Sequence, residues 1–206
     1  MNGGKGKVLT SCDISSLVID RLCDQAEGQD TPVACFYFDF AARKDQSPTS
    51  VLGALLKQLI CGLEEIPKRI SRAYRSQKNA IGGRAPQLAD IVKMLQDITS
   101  ETRTFICIDA LDECVARYRV KILDSLNQIL ERSPNTRMFV AGRPHIESEV
   151  ENCFSGRVAT IHVTSRKHDI ISYLHNRLNE DTMREEMDNS LEADILKKIG
   201  EDISEM

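Results

Sequence analysis

Thr104-Phe105-Ile106-Cys107-Ile108-Asp109-Ala110-Leu111-Asp112-Glu113-Cys114 joins an uncharged, β-favouring run to a set of closely spaced carboxylates. Residues 104–108 carry no formal charge, and Asp109, Asp112 and Glu113 all lie in the five positions that follow. A short apolar run of this kind predicts a parallel strand buried on both faces. The acids then stand at its C-terminal end, the edge at which open α/β sheets bind their ligands. The plainer alternative is an acidic strand-to-helix loop, because carboxylates stabilise helix N-termini.

The flanking sequence alternates strand and helix patterns. Residues 33–40, nearly all apolar or aromatic, predict a second buried strand, and residues 137–141 and 158–163 predict two more. Asp13 or Ser15 is placed to cap a helix running to Ala26, with Ile14, Leu17, Val18 and Leu22 as its apolar stripe. Ser47 reads as a cap with Pro48 at the first helical position, opening a helix to about Gly62. Further helices are predicted over residues 67–78, 88–98, 117–132, 167–179 and 191–199. For residues 117–132 the expected stripe is Val120, Leu123, Leu126, Ile129 and Leu130. Strands alternating with helices predict an α/β fold: a mostly parallel sheet with helical layers on both faces.

Bulk properties narrow the function. With 206 residues there is enough chain for one α/β domain. The 27 basic and 31 acidic residues sum to −4, which argues against nucleic acid as a partner. No apolar run approaches the roughly 20 residues of a membrane span, and the first residues lack the apolar core of a signal peptide. The 7 cysteines are scattered, without a Cys-x-x-Cys pair, and the 4 histidines do not bracket them at zinc spacing. This pattern predicts a reduced, cytoplasmic protein.

The segment 104–114 resembles the extended Walker B motif of NACHT domains: four hydrophobic residues, Asp, a small residue, a hydrophobic residue, then two acids. Four more stretches resemble the NACHT modules of fungal NOD-like signal-transduction ATPases of the nephrocystin-like type. They are Ser15-Ser16-Leu17-Val18-Ile19-Asp20, Ala34-Cys35-Phe36-Tyr37-Phe38-Asp39, Ser47-Pro48-Thr49-Ser50-Val51-Leu52 and Gly142-Arg143-Pro144-His145. The resemblance runs from about Ser15 to the C-terminus. It implies a three-layer P-loop NTPase-like domain that lacks its first strand. The implied organisation is a degenerate phosphate-loop remnant (1–14), the NTPase core (15–165) and a truncated helical extension (166–206). Both ends read as trimmed.

By that resemblance Asp109 coordinates Mg²⁺ through water, and Asp112 and Glu113 are the catalytic pair that orients the attacking water. Arg143 follows the strand at 137–141, where related ATPases sense the γ-phosphate; it could equally pair with Asp109 or Asp112. A phosphate loop, Gly-x-x-x-x-Gly-Lys-Ser/Thr, wraps phosphates with backbone N–H groups and binds Mg²⁺ through its hydroxyl. Here Gly6 and Lys7 fit its second half, but Val8 stands where the hydroxyl belongs. Aligning instead on residues 15–20 puts Gly-Lys-Thr on Thr10-Ser11-Cys12. Two readings therefore stand: a displaced loop in which Lys7 or Lys5 still meets phosphate, and a solvated N-terminus.

Other candidates are blander. Asp39 reads as a turn cap, the basic run of Lys68, Arg69, Arg72, Arg75 and Lys78 as a solvated face, and His145 as an exposed loop residue. The leading expectation is a fragment of a NACHT-type NTPase switch in fungal non-self recognition or cell-death signalling, descended from an ATP or GTP hydrolase and itself weak or inactive. Its cofactor would be ATP or GTP with Mg²⁺, held weakly or lost. Its partners would be nucleotide, further copies of itself, and the effector, ankyrin or WD40 domains of full-length relatives. The competing expectations are a non-catalytic scaffold and a metal-dependent hydrolase using Asp109, Asp112 and Glu113.

Overall fold

The computed structural model describes residues 11–26, 29, 31–63, 65–68, 70–72, 75, 86–163, 194 and 198. Ser11–Ala159 form one compact unit, and the fold below is the fold of that unit. Gly6, Lys7 and the helices expected at 167–179 and 191–199 lie outside the described residues or largely so, as does half of the basic helix at 67–78.

Among the described residues three strands build the sheet: β1 (Val33–Tyr37), β2 (Thr104–Asp109) and β3 (Thr136–Val140). Their order is β1-β2-β3 and both pairings are parallel. The register aligns Ala34, Ile106 and Met138, then Cys35, Cys107 and Phe139, then Phe36, Ile108 and Val140. Because strand side chains alternate, the first and third rows face one way and the middle row the other.

The face of Ala34, Ile106 and Ile108 packs on α2 (Pro48–Cys61), α3 (Leu88–Glu101) and α4 (Ala116–Arg132). Leu52, Leu55 and Leu59 of α2, Leu95 and Ile98 of α3, and Ile122, Leu123, Leu126 and Ile129 of α4 fill this layer and are fully or almost fully buried. Each such side chain contributes about 1.5–3 kcal/mol by leaving water. The opposite face, carrying Cys35, Cys107 and Asp109, meets α1 (Ser11–Ala26), which gives the three-layer α/β arrangement.

Local chemistry explains the element boundaries. Ser47 caps α2 by accepting from the Ser50 N–H, with Pro48 at the first helical position. Asp90 Oδ2 accepts from the Gln87 N–H at 3.1 Å at the start of α3. Strand β1 is at the sheet edge, and Gln58 of α2 covers part of it. The Gln58 side chain accepts from the Cys35 N–H at 3.0 Å and donates to the Cys35 carbonyl at 2.8 Å.

Several expectations need correction. Residues 158–163 form no strand: they are irregular and exposed, with Ile161 84% accessible. The sheet formed by the described residues consists of β1, β2 and β3. In α1, Leu17 faces solvent while Ser15 and Ile19 are buried, so the buried stripe is rotated from the expected one. Ser15 is accordingly not a cap, since the helix begins at Ser11. In α4, Val120 is exposed and Ile122 takes its place in the core. Strand β1 ends at Tyr37, and the chain turns through residues 40–45.

Candidate site at the C-terminal edge of the sheet

Strand β2 delivers Asp109 to the C-terminal edge of the sheet, where only 3% of the residue is accessible. A buried carboxylate needs hydrogen-bond donors. Ser15 supplies one, its Oγ–H donating to Asp109 Oδ1 at 2.7 Å from the fully buried face of α1. The Asp109 carbonyl accepts from the Phe38 N–H at 3.1 Å, extending the parallel ladder beyond β1.

After Asp109 the chain reverses sharply. Ala110 has φ 52° and ψ 40°, a left-handed conformation that residues with a Cβ adopt rarely. A small side chain keeps this turn tolerable. It leads into a 3₁₀ turn, Leu111–Glu113, whose Leu111 is fully buried and anchors it in the core. The Leu111 N–H donates to the Ala141 carbonyl at 3.0 Å, and the Ala141 N–H donates to the Ile108 carbonyl at 2.8 Å. The acid turn and the loop after β3 are thus stitched backbone to backbone.

The other two acids are also engaged. Asp112 Oδ1 accepts from the Arg143 N–H at 3.2 Å, and Asp112 Oδ2 lies 3.5 Å from Arg143 Nε. The Asp112 side chain is 7% accessible whereas that of Arg143 is 76% accessible, so the carboxylate is fixed and the guanidinium reaches into solvent. Glu113 Oε2 accepts from the Phe40 N–H at 2.9 Å. Asp39 Oδ1 accepts from the Ala41 N–H at 2.8 Å, the turn-capping geometry. At Gly142 a Cβ would lie 2.7 Å from Ile146 Cδ1, the tip of a buried side chain, and 3.3 Å from Asp112 Oδ1, so these neighbours would have to shift.

The structure therefore brings Asp109, Asp112, Glu113 and Arg143 to one edge, from β2 and from the loop after β3. Gly6 and Lys7 lie outside the described residues. Sequence reading missed Ser15 as a partner of Asp109, the Phe40 N–H as a partner of Glu113, and Arg119 behind the turn. A signal existed for Ser15 alone: a hydroxyl one helical turn before the buried Ile19. Among the described residues no three His, Cys, Asp or Glu side chains converge in a way that could hold a metal ion. Burial disfavours the thiolate form of the nearby thiols. Burial pushes Cys107 up to about 12 and Cys114 up to about 11, the latter despite the opposing pull of Arg119. Among the described residues no helix is long and apolar enough to cross a membrane.

A parallel sheet between helical layers, with an acid at the end of the middle one of its described strands, defines a three-layer α/β domain. The profile of the nephrocystin 3 N-terminal family matches residues 3–143, and the chain belongs to that family. Among curated proteins no match is found. Solved structures are similar as well, among them the following two. The Aeropyrum pernix ORC1 protein in complex with DNA shares 16% identity and a TM-score of 0.46 over 84% of this chain and 42% of its own. A Walker-type ATPase of Pyrococcus abyssi shares 12% identity and a TM-score of 0.47 over 93% of this chain and 55% of its own. The chain thus spans about half the length of these two proteins, and the likeness concerns the chain path alone.

Proposed function

We propose that this chain is the nucleotide-binding core of a NACHT-type signal-transduction NTPase, acting as a switch in a cytoplasmic pathway of the fungal cell-death type, and that it holds nucleotide weakly. The observation carrying this reading is the convergence of Asp109, Asp112, Glu113 and Arg143 at the C-terminal edge of the parallel sheet. Open α/β sheets bind ligands at that edge. Arg143 offers a solvent-facing guanidinium suited to a phosphate. Asp109 and the Ser15 hydroxyl are hard oxygen donors, the chemistry that Mg²⁺ takes. They would hold the ion, which would neutralise phosphate charge, while Asp112 and Glu113 would orient water. Weak binding follows because Mg²⁺ sites of this kind lean on phosphate oxygens for their remaining ligands, and the Gly6-Lys7 segment lacks the hydroxyl of a full phosphate loop.

A second reading, a non-catalytic scaffold, has its own support. Each carboxylate already accepts a hydrogen bond from the chain itself: Asp109 from Ser15, Asp112 from Arg143, Glu113 from Phe40. Titration with a fluorescent ATP analogue and Mg²⁺ separates the two. The nucleotide reading expects saturable binding, weaker than micromolar, lost in Asp109→Asn and Arg143→Ala. Absence of saturation at millimolar analogue would favour the scaffold. Low-micromolar binding lost in Lys7→Ala would overturn the weak-binding part.

A further inference from the structure

We infer that Arg119 is the positioning residue of the acid turn, holding Asp112 and Glu113 in place from behind and tying them to α5 (Glu147–Phe154). Arg119 lies on the first turn of α4, and its side chain is only 12% accessible. Its NH1 donates to the Cys114 carbonyl at 3.0 Å and to the Asp112 carbonyl at 3.4 Å. Its Nε donates to Glu149 Oε2 of α5 at 2.8 Å. One guanidinium therefore spans three acceptors from two elements.

The geometry makes this more than a packing contact. The two carbonyls that Arg119 holds flank Glu113, so they set the direction in which the Glu113 side chain leaves the turn. Asp112 is gripped from opposite sides: its carbonyl by Arg119, its carboxylate by the Arg143 N–H. Glu149 completes a closed circuit. The chain runs from Arg143 through Pro144–Ile146 into α5, and Glu149 on that helix returns to Arg119. A shift of the Arg143 loop is thereby transmitted to the acid turn by two routes, one through Asp112 and one through α5. Lysine could not replace this residue. Its ammonium is a single point on a flexible stem, whereas the guanidinium is a planar fork with five donors. That Asp112 and Glu113 act on nucleotide rests on the reading above; that Arg119 positions them does not.

The test reads the positions of the acids without any ligand. The Arg143 and Phe40 amides report on Asp112 and Glu113, because each donates to one of those carboxylates. The Phe105 amide, which donates to the Pro32 carbonyl at 3.0 Å, serves as the in-sheet reference. Amide exchange by NMR is compared in the whole chain for wild type, Arg119→Ala, Arg119→Lys and Glu149→Gln. Exchange at Arg143 and Phe40 should rise by about tenfold in both Arg119 variants, the scale of one lost charge-assisted hydrogen bond. The rise should be smaller in Glu149→Gln, which keeps the two carbonyl contacts, and Phe105 should not change. Wild-type exchange at both reporters in folded Arg119→Lys overturns the inference. So does an equal rise at Phe105, which would make Arg119 a general stability residue. Should Arg119→Ala fail to fold, the Lys and Gln variants still decide. A parallel ATP-analogue titration of the wild type that shows no binding would count against the proposed function and leave the exchange result standing.

Discussion

Ser15→Ala removes the hydroxyl that, among the described residues, reaches Asp109. The Oγ to Oδ1 distance of 2.7 Å is the ordinary length of an O–H···O bond. Ser15 is fully buried and Asp109 almost so, which means water does not readily replace the lost donor. Leaving a buried acceptor short of its donor costs about 1–3 kcal/mol. The cavity contribution is small, since alanine differs from serine by a single oxygen. With urea slopes of about 1–3 kcal/mol/M, the denaturation midpoint should fall by roughly 1 M. Ser125→Ala is the matched control: Ser125 is also buried, but it donates to the Lys121 carbonyl within its own helix. That change should shift stability by less than about 1 kcal/mol, because such bonds back onto the helix add little. A double-mutant cycle pairing Ser15→Ala with Asp109→Asn isolates the coupling, expected at about 1–2 kcal/mol for residues in direct contact. If Ser15→Ala costs no more than Ser125→Ala, or if the cycle shows no coupling, the bond does not hold Asp109.

Gly142→Ala should destabilise by about 1–3 kcal/mol, as overpacking does, because its Cβ would meet Ile146 Cδ1 at 2.7 Å. Adding Ile146→Val, which removes that methyl, should recover part of the loss in thermal denaturation; no recovery would point away from this clash. The buried thiols set a pH limit: Cys107 is pushed up to about 12 and Cys114 up to about 11 by burial, above the usual thiol value. The unfolded chain then loses these protons first, so the contribution of these two thiols to stability is constant below about pH 8 and falls as pH rises towards 11–12. Urea midpoints at pH 8 and pH 10 check the sign, and alkylation at pH 8 should modify the exposed Cys23 and Cys61 while sparing Cys107 and Cys114.

Much of the fold was legible because its signals are local. The uncharged run of β2, the leucine spacing of α2, and the Ser47-Pro48 cap each depend on residues a few positions apart. The segment at 158–163 carried the same kind of signal and yields no strand, since a local apolar run reports a tendency that tertiary context overrides. Leu17 and Val120 were misassigned for a related reason. A helix of mixed composition offers more than one apolar stripe, and tertiary packing selects which one faces the core.

The chain alone determined that Asp109, Asp112 and Glu113 follow a buried strand, because backbone alternation and hydrophobicity place them there whatever else the protein does. Only the tertiary structure decided what each carboxylate meets. Ser15 is 94 positions from Asp109, Phe40 is 73 from Glu113, and Arg143 is 31 from Asp112. Such pairings follow from strand order and from the rotation of α1 on the sheet, neither of which has a local signature. The same holds for Arg119 and Glu149, two ordinary surface-type charges 30 positions apart. They become a bracket because burial makes each the most favourable partner for the other, and leaves the acid turn's carbonyls within reach of the same guanidinium.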